Sequence, residues 1–166
     1  MDVLTHGLWG GLFCGKKKGL FKYAVIFGLL PDLIVFLPHT IMELVMGNVV
    51  MGKPALESFD HWVFVLYNFT HSLVVAAILW TMIRKIWGKE ISIAFLAWPL
   101  HILMDIPTHS ADFFPTKFLY PLSHLHIDGV GWSHPYILAT NYTLLVLLYG
   151  VHLYKNKRRS YRKTEV

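Results

Sequence analysis

Long apolar runs separated by short polar turns organise this chain of 166 residues. Runs with little or no charge cover 23–42, 62–83, 91–106 and 135–154, close to the roughly 20 residues that a membrane-spanning helix needs. Residues 3–14 are also apolar, but a helix of that length reaches only ~18 Å and cannot cross a ~30 Å hydrocarbon core. The pattern predicts an all-α, multi-pass transmembrane bundle with about four full spans and a short N-terminal membrane-embedded helix.

Proline and glycine indicate where the helices end. Pro31 and Pro38 lie inside the second apolar run, so we expect this span to be kinked or broken near its centre. The mixed composition of 43–60 predicts an outer loop with a short interfacial helix, and 107–133 predicts a longer outer loop. Residues 1–154 then form a single transmembrane domain. No removable signal peptide is expected, because no basic region precedes the first apolar run.

The composition and the charge pattern give an orientation. Hydrophobic residues make up 55% of the chain and charged residues 15%, which is typical of a membrane protein. Of the 15 Lys and Arg residues, 13 lie in three segments, 16–22, 84–89 and 155–163. Alternating spans place all three on one side, which the positive-inside rule assigns to the cytoplasm. Residues 155–166 are therefore expected to be a basic cytoplasmic tail, and the net charge of +5 does not indicate a nucleic-acid partner.

Rare polar residues interrupt the apolar runs at similar depths. His101 and Asp105 are four residues apart and would share one helix face. Counted at ~1.5 Å per residue from the basic side, His6, Asp32, His71 and His101 all lie ~14–18 Å deep. Alone, His71 or the pair His101 and Asp105 could be hydrogen-bonded structural groups, and Asp32 could be an exposed carboxylate in a proline-broken loop. Together they indicate a metal site, because ionisable residues within a membrane usually face one another in the bundle interior.

The candidate ligands constrain the metal and its chemistry. Cys14 is the only cysteine, so a cysteine-based zinc site is excluded. Three imidazoles and two carboxylates suit Zn²⁺ first, with Mn²⁺ or Fe²⁺ as alternatives. Asp105 would be a fifth ligand or the catalytic base that takes a proton from water. Thr70, Ser72 and Thr108 would support the ligands, or would bond to carbonyls of their own helices.

The same residues carry a family resemblance. They occur as Thr5-His6-Gly7, Leu30-Pro31-Asp32, Thr70-His71-Ser72 and His101 to Asp105 with Thr108. In this order, over roughly residues 1–123, the chain resembles the bacterial inner-membrane metal-dependent hydrolases, a group that includes LexA-regulated members. The resemblance implies an inner-membrane enzyme that hydrolyses its substrate with a metal-activated water. A site within a membrane further favours a lipid or lipid-linked ester or phosphodiester, although no residue names the substrate.

The chain departs from that pattern at three positions. Ile34 and Val35 stand where the family often has Asp and His, and Leu66 stands where it has His. If the fuller pattern holds two metals, this chain would hold one, or would be a catalytically inactive scaffold. A metal or proton transporter is the alternative from another class, although we find no internal repeat and too few spans for an inverted-repeat carrier. The sequence does not indicate an oligomeric state.

A second polar group lies in the longer outer loop. His124, His126 and Asp128 alternate, so an extended strand would place all three on one face. A short motif of this kind in a loop is more often a solvated turn. We therefore expect a turn here, with metal binding as the alternative. His109, Asp112 and His134 could contribute to the rim of the same outer-loop group.

Overall fold

The protein is helical throughout its regular structure. The computed structural model describes residues 2–17, 19–48, 52 and 54–164, with side chains up to residue 157. Its helices are α1 (Val3–Cys14), α2 (Phe21–Met46), α3 (His61–Thr70), α4 (Leu73–Ile86), α5 (Gly88–Phe95), α6 (Ala97–Thr108) and α7 (Pro135–Thr164), with a 3₁₀ turn at Leu56–Ser58. No strand occurs in these ranges, so the all-α prediction is confirmed.

Three to four segments are long and apolar enough to cross a membrane. They are Phe21–Met46, Gly88–Thr108 and Pro135–Lys157, and the fourth is the pair α3 and α4 if it is counted as one bent span. Helix α1 is apolar but short, as expected. The chain is therefore a membrane protein with a short additional N-terminal helix.

The break in the membrane region is not where the prolines predict it. Helix α2 continues through Pro31 and Pro38 to Met46, so the expected break is absent and the first residues of the expected 43–60 loop are helical. Instead, α3 and α4 meet at an angle of 59° at His71 and Ser72, a segment without proline or glycine. The sequence therefore gives no local signal for this break, which depends on tertiary contacts.

Those contacts satisfy the backbone groups that the break exposes. The indole nitrogen of Trp98 donates to the Thr70 carbonyl over 2.9 Å. At the start of α4, the Leu73 amide donates to the Phe118 carbonyl over 2.9 Å, and the Ser72 hydroxyl donates to the Tyr120 carbonyl. Unpaired backbone groups are costly within a membrane unless protein partners replace water. The loop formed by residues 109–134 therefore also packs into the bundle.

Glycines allow α1 to pack closely against α2. A Cβ atom on Gly28 would lie 2.6 Å from the His6 carbonyl oxygen, and one on Gly10 would lie 2.6 Å from the Ala24 carbonyl oxygen. Both distances are shorter than real Cβ contacts, so only glycine permits this separation. The close packing places His6 beside the middle of α2.

The three basic segments lie at one end of the bundle. Lys17, in the turn before α2, contacts Glu90 at the start of α5 over 2.6 Å. Helix α7 runs parallel to α1, because Tyr142 bonds Asp2 and Tyr149 bonds the Leu8 carbonyl. The C-terminal part of α7 therefore points toward the same end as the turns after α1 and α4.

Candidate metal centre

Four polar residues from three parts of the bundle meet in its interior. The four are Asp32 on α2, His71 at the break, and His101 and Asp105 on α6. Each offers one ligand atom, and these four atoms lie within 4.8 Å of one another. His101 Nε2 is 3.0 Å from Asp105 Oδ2 and 3.7 Å from Asp32 Oδ1. His71 Nε2 is 3.4 Å from each of the same two oxygens. All four residues are buried, so this group could hold a metal ion.

The backbone of α2 orients His101. Its Nδ1 lies 2.7 Å from the Gly28 carbonyl oxygen, which can only accept a hydrogen bond. Nδ1 therefore carries the proton, and a neutral ring presents the lone pair of Nε2 to Asp32 and Asp105. Metal-binding histidines are typically oriented by such a bond from the other ring nitrogen.

The last turn of α3 orients His71 in a similar way. Its Nδ1 lies 3.2 Å from the Tyr67 carbonyl oxygen and 3.0 Å from the Thr70 hydroxyl. The ring also stacks on Tyr67 with centroids 3.8 Å apart. Because the carbonyl can only accept, Nδ1 is again the donor and Nε2 points into the group.

This arrangement brings electron-rich atoms together. His71 Nε2 and His101 Nε2 are 3.1 Å apart, with the Asp32 and Asp105 carboxylates beside them. When both rings are neutral and carry their protons on Nδ1, the two Nε2 lone pairs cannot bond to each other, and the buried carboxylates need an opposite charge. A divalent cation satisfies all four donors at once, so the donor set fits Zn²⁺, Mn²⁺ or Fe²⁺.

His6, one of the five expected ligands, is adjacent to this group but is not a member of it. Its Nε2 is 2.9 Å from Asp105 Oδ1, the oxygen on the other side of that carboxylate. Its ring stacks on His101 with centroids 3.6 Å apart. The structure thus brings His6 to the site without placing it among the four.

The three hydroxyl residues differ in their contacts. Thr70 touches the ring of His71, as a supporting residue would. Ser72 caps α4 by accepting from the Val75 amide over 3.2 Å. Thr108 donates to the Met104 carbonyl over 2.8 Å, which is the bond within its own helix that the sequence left open.

The site is reached from the end opposite the basic turns. A cavity of about 200 Å³ is lined by Asp32 and His109, with aromatic residues Phe36, Phe113 and Trp132 around it. The same three aromatic residues also line a cavity of about 470 Å³ beside the second half of α2. Asp32 is therefore the member of the group that faces open space.

The outer-loop group His124, His126 and Asp128 does not join the site. All three residues are exposed, and Asp128 accepts a bond of 2.8 Å from the Ala111 amide. Among the described residues, the group of ligand atoms within 4.8 Å of one another contains Asp32, His71, His101 and Asp105 and none of these loop residues. Asp112 and His134 are exposed as well. The bond between Asp128 and the Ala111 amide closes the loop, as the expected turn would.

Two residues have positions that the sequence does not predict: His109, which was expected beside the outer-loop group, and Gly28, which was not singled out. His109 is buried, with Nδ1 3.5 Å from Asp105 Oδ1. Its motif Thr108-His109-Ser110 repeats Thr70-His71-Ser72, a signal that could have identified it. Gly28 has no comparable signal, because its role depends on how closely α1 and α6 approach α2.

The positions that depart from the family pattern are packed in the apolar core. Val35 is fully buried in one apolar cluster, Leu66 packs against that cluster, and Ile34 packs against another. Comparison of this chain with protein-family models, curated proteins and solved structures finds no match. The geometry of the site therefore has to support any functional proposal.

Proposed function

We propose that this protein is a membrane-embedded metal-dependent hydrolase, with Asp32, His71, His101 and Asp105 as metal ligands. The observation that carries the proposal is the approach of two oriented Nε2 atoms to 3.1 Å between two buried carboxylates. A divalent ion in such a site acts as a Lewis acid and makes a water molecule a stronger nucleophile. The resemblance in the sequence motifs points to the same chemistry.

The position of each residue in the site supports a particular role for it. The side chain of Asp105 is fully buried with Oδ2 toward both histidines, which supports a ligand role rather than that of a free base. Asp32 faces the two histidines through Oδ1 and also lines the smaller cavity, so its other oxygen, Oδ2, is our candidate to accept a proton from water entering there. His109 lines the same cavity.

The cavities support a substrate that is partly apolar. One face of α2 presents Asp32, Phe36, His39 and Glu43, at helical spacings that continue from the site along the larger cavity. At ~1.5 Å per residue, His39 lies ~10 Å along the helix from Asp32. We propose a lipid or lipid-linked ester or phosphodiester, with the scissile group at Asp32 and the remainder against the aromatic walls.

The orientation of the protein in the membrane is part of the same proposal. The positive-inside rule places the shared end of the three basic segments in the cytoplasm. The C-terminus would then be cytoplasmic and the cavities would open on the outer side of a bacterial inner membrane. A substrate would approach from that side or from the outer leaflet.

Hydrolysis of defined lipids tests the activity. We expect protein purified in detergent to hydrolyse at least one of a panel of phosphatidyl and acyl esters, and to lose activity when a chelator removes the metal. His101→Ala should abolish the activity, whereas His126→Ala, which changes an exposed histidine, should retain it. Metal uptake into proteoliposomes without hydrolysis of any lipid would support a transporter instead.

A further inference from the structure

The carboxylate of Asp105 faces histidines on both sides. Its Oδ2 lies 3.0 Å from His101 Nε2 and 3.4 Å from His71 Nε2, within the four-residue group. Its Oδ1 lies 2.9 Å from His6 Nε2 and 3.5 Å from His109 Nδ1. Each oxygen therefore has two imidazole nitrogens of its own.

His6 is buried with one close polar contact, from its Nε2 to Asp105 Oδ1 over 2.9 Å. Its side chain is inaccessible to solvent, and neither ring nitrogen has a hydrogen-bond partner of acceptable geometry among the described residues. Its nearest polar contact is Asp105 Oδ1, beside the stacking on His101. Buried imidazole nitrogens are normally satisfied, and a metal ligand is one explanation for the exception.

His109 is the second histidine on this side. It follows the last residue of α6, and its carbonyl accepts a bond of 2.9 Å from the Gly129 amide, which holds the loop against the helix end. Its Nδ1 is also 3.4 Å from the Thr116 hydroxyl. The loop thus holds the ring over Asp105 rather than leaving it in solvent.

We propose that His6, Asp105 and His109 form a second cation position, so that the Asp105 carboxylate bridges two divalent ions. The proposal rests on the proposed metal group, because Asp105 is shared, but it adds ligands that the group does not contain. Paired ions about 3.5–4 Å apart are common in hydrolases that act on phosphate esters and peptides. Imidazole and carboxylate ligands suit Zn²⁺, Mn²⁺ or Fe²⁺ at this position too.

The surroundings leave room for the remaining ligands. His109 and Asp32, one from each position, line the same cavity of about 200 Å³. Catalytic metal sites typically keep a coordination position open for water or substrate. A water or a substrate in this cavity would therefore lie beside one residue of each position.

A simpler alternative is that His6 and His109 only orient Asp105. The number of bound ions separates the two explanations. Full-length protein is loaded with Mn²⁺, freed of excess by gel filtration and analysed for metal per chain, beside His6→Gln, His109→Gln and His134→Gln. The exposed His134 is the control, and electron paramagnetic resonance reports whether the manganese ions are magnetically coupled.

We expect two equivalents and a coupled signal in wild type and His134→Gln, and one equivalent with an uncoupled signal in His6→Gln and His109→Gln. One uncoupled equivalent in wild type would overturn the second position and leave the four-residue site standing. Two equivalents retained in both His6→Gln and His109→Gln would also overturn it. Wild type without metal would overturn both. The wild-type signal needs no variant, so misfolding of a variant does not remove the test.

Discussion

Gly28 and His101 are joined by a hydrogen bond of 2.7 Å from the imidazole Nδ1 to the backbone carbonyl. The same glycine lies against α1, where a Cβ atom would be 2.6 Å from the His6 carbonyl oxygen. One position on α2 therefore orients a ligand on α6 and sets the distance to α1. The site depends on this glycine although it contributes no side chain.

Gly28→Ala tests this dependence. The added methyl group meets backbone rather than a flexible side chain, so α1 must move away. We expect destabilisation by about 1–3 kcal/mol, typical of overpacking, together with loss of bound metal. Thermal melting in detergent and metal analysis measure the two effects. Gly150→Ala is the control, because nothing lies within 4 Å of a Cβ there; equal behaviour of the two variants would contradict the role of Gly28.

The break between α3 and α4 should depend on Trp98. Its indole nitrogen donates to the Thr70 carbonyl over 2.9 Å, one residue before His71. Trp98→Phe keeps an aromatic side chain but removes the pyrrole ring with its N–H, and leaving a buried carbonyl without this donor costs about 1–3 kcal/mol. We expect a lower melting temperature than for Trp87→Phe, which changes an exposed tryptophan. A melting temperature for Trp98→Phe equal to that of Trp87→Phe would show that the bond does not stabilise the break.

His39 should affect substrate binding and not the metal. It is buried, lines the cavity of about 470 Å³, and its Nδ1 has no hydrogen-bond partner in the described structure. A substrate that bonds to it would lose about 1.4 kcal/mol in His39→Ala, a tenfold rise in KM. Metal content and kcat should stay near wild type. A change in kcat with KM unaltered would contradict a binding role.

The shared side of the basic segments can be tested by labelling. Asn156→Cys and Leu122→Cys are introduced separately into Cys14→Ser, which removes the only native cysteine. An impermeant maleimide should reach the exposed position 122 from outside intact cells and position 156 only after the membrane is opened. Labelling of both positions from the same side would contradict the topology.

The sequence predicts the spans and most of the site, since both depend on local features. Apolar runs are intrinsic to the chain, and a buried His or Asp is conspicuous within them. Asp32, His71, His101 and Asp105 were recognisable for that reason. The proline pattern was a wrong guide to the break, because α2 tolerates Pro31 and Pro38 inside the bundle.

The remaining features depend on contacts between distant segments. The bend at His71 requires the carbonyls of Phe118 and Tyr120, which lie more than 40 residues away in the chain. His109 appeared to be part of a loop rim, and only the Gly129 contact shows that it is held at Asp105. No local pattern in a single sequence contains these pairings.

Metal content of purified protein tests the central claim most directly. Wild type, Asp105→Asn and Asp128→Asn are purified in parallel, dialysed against metal-free buffer and analysed for divalent metals. Asp128 is the matched control, because it bonds the Ala111 amide in an exposed loop and lies outside the metal group. The account predicts bound metal in wild type and Asp128→Asn and its loss in Asp105→Asn. Metal-free wild type, or Asp105→Asn with its metal fully retained, would contradict it.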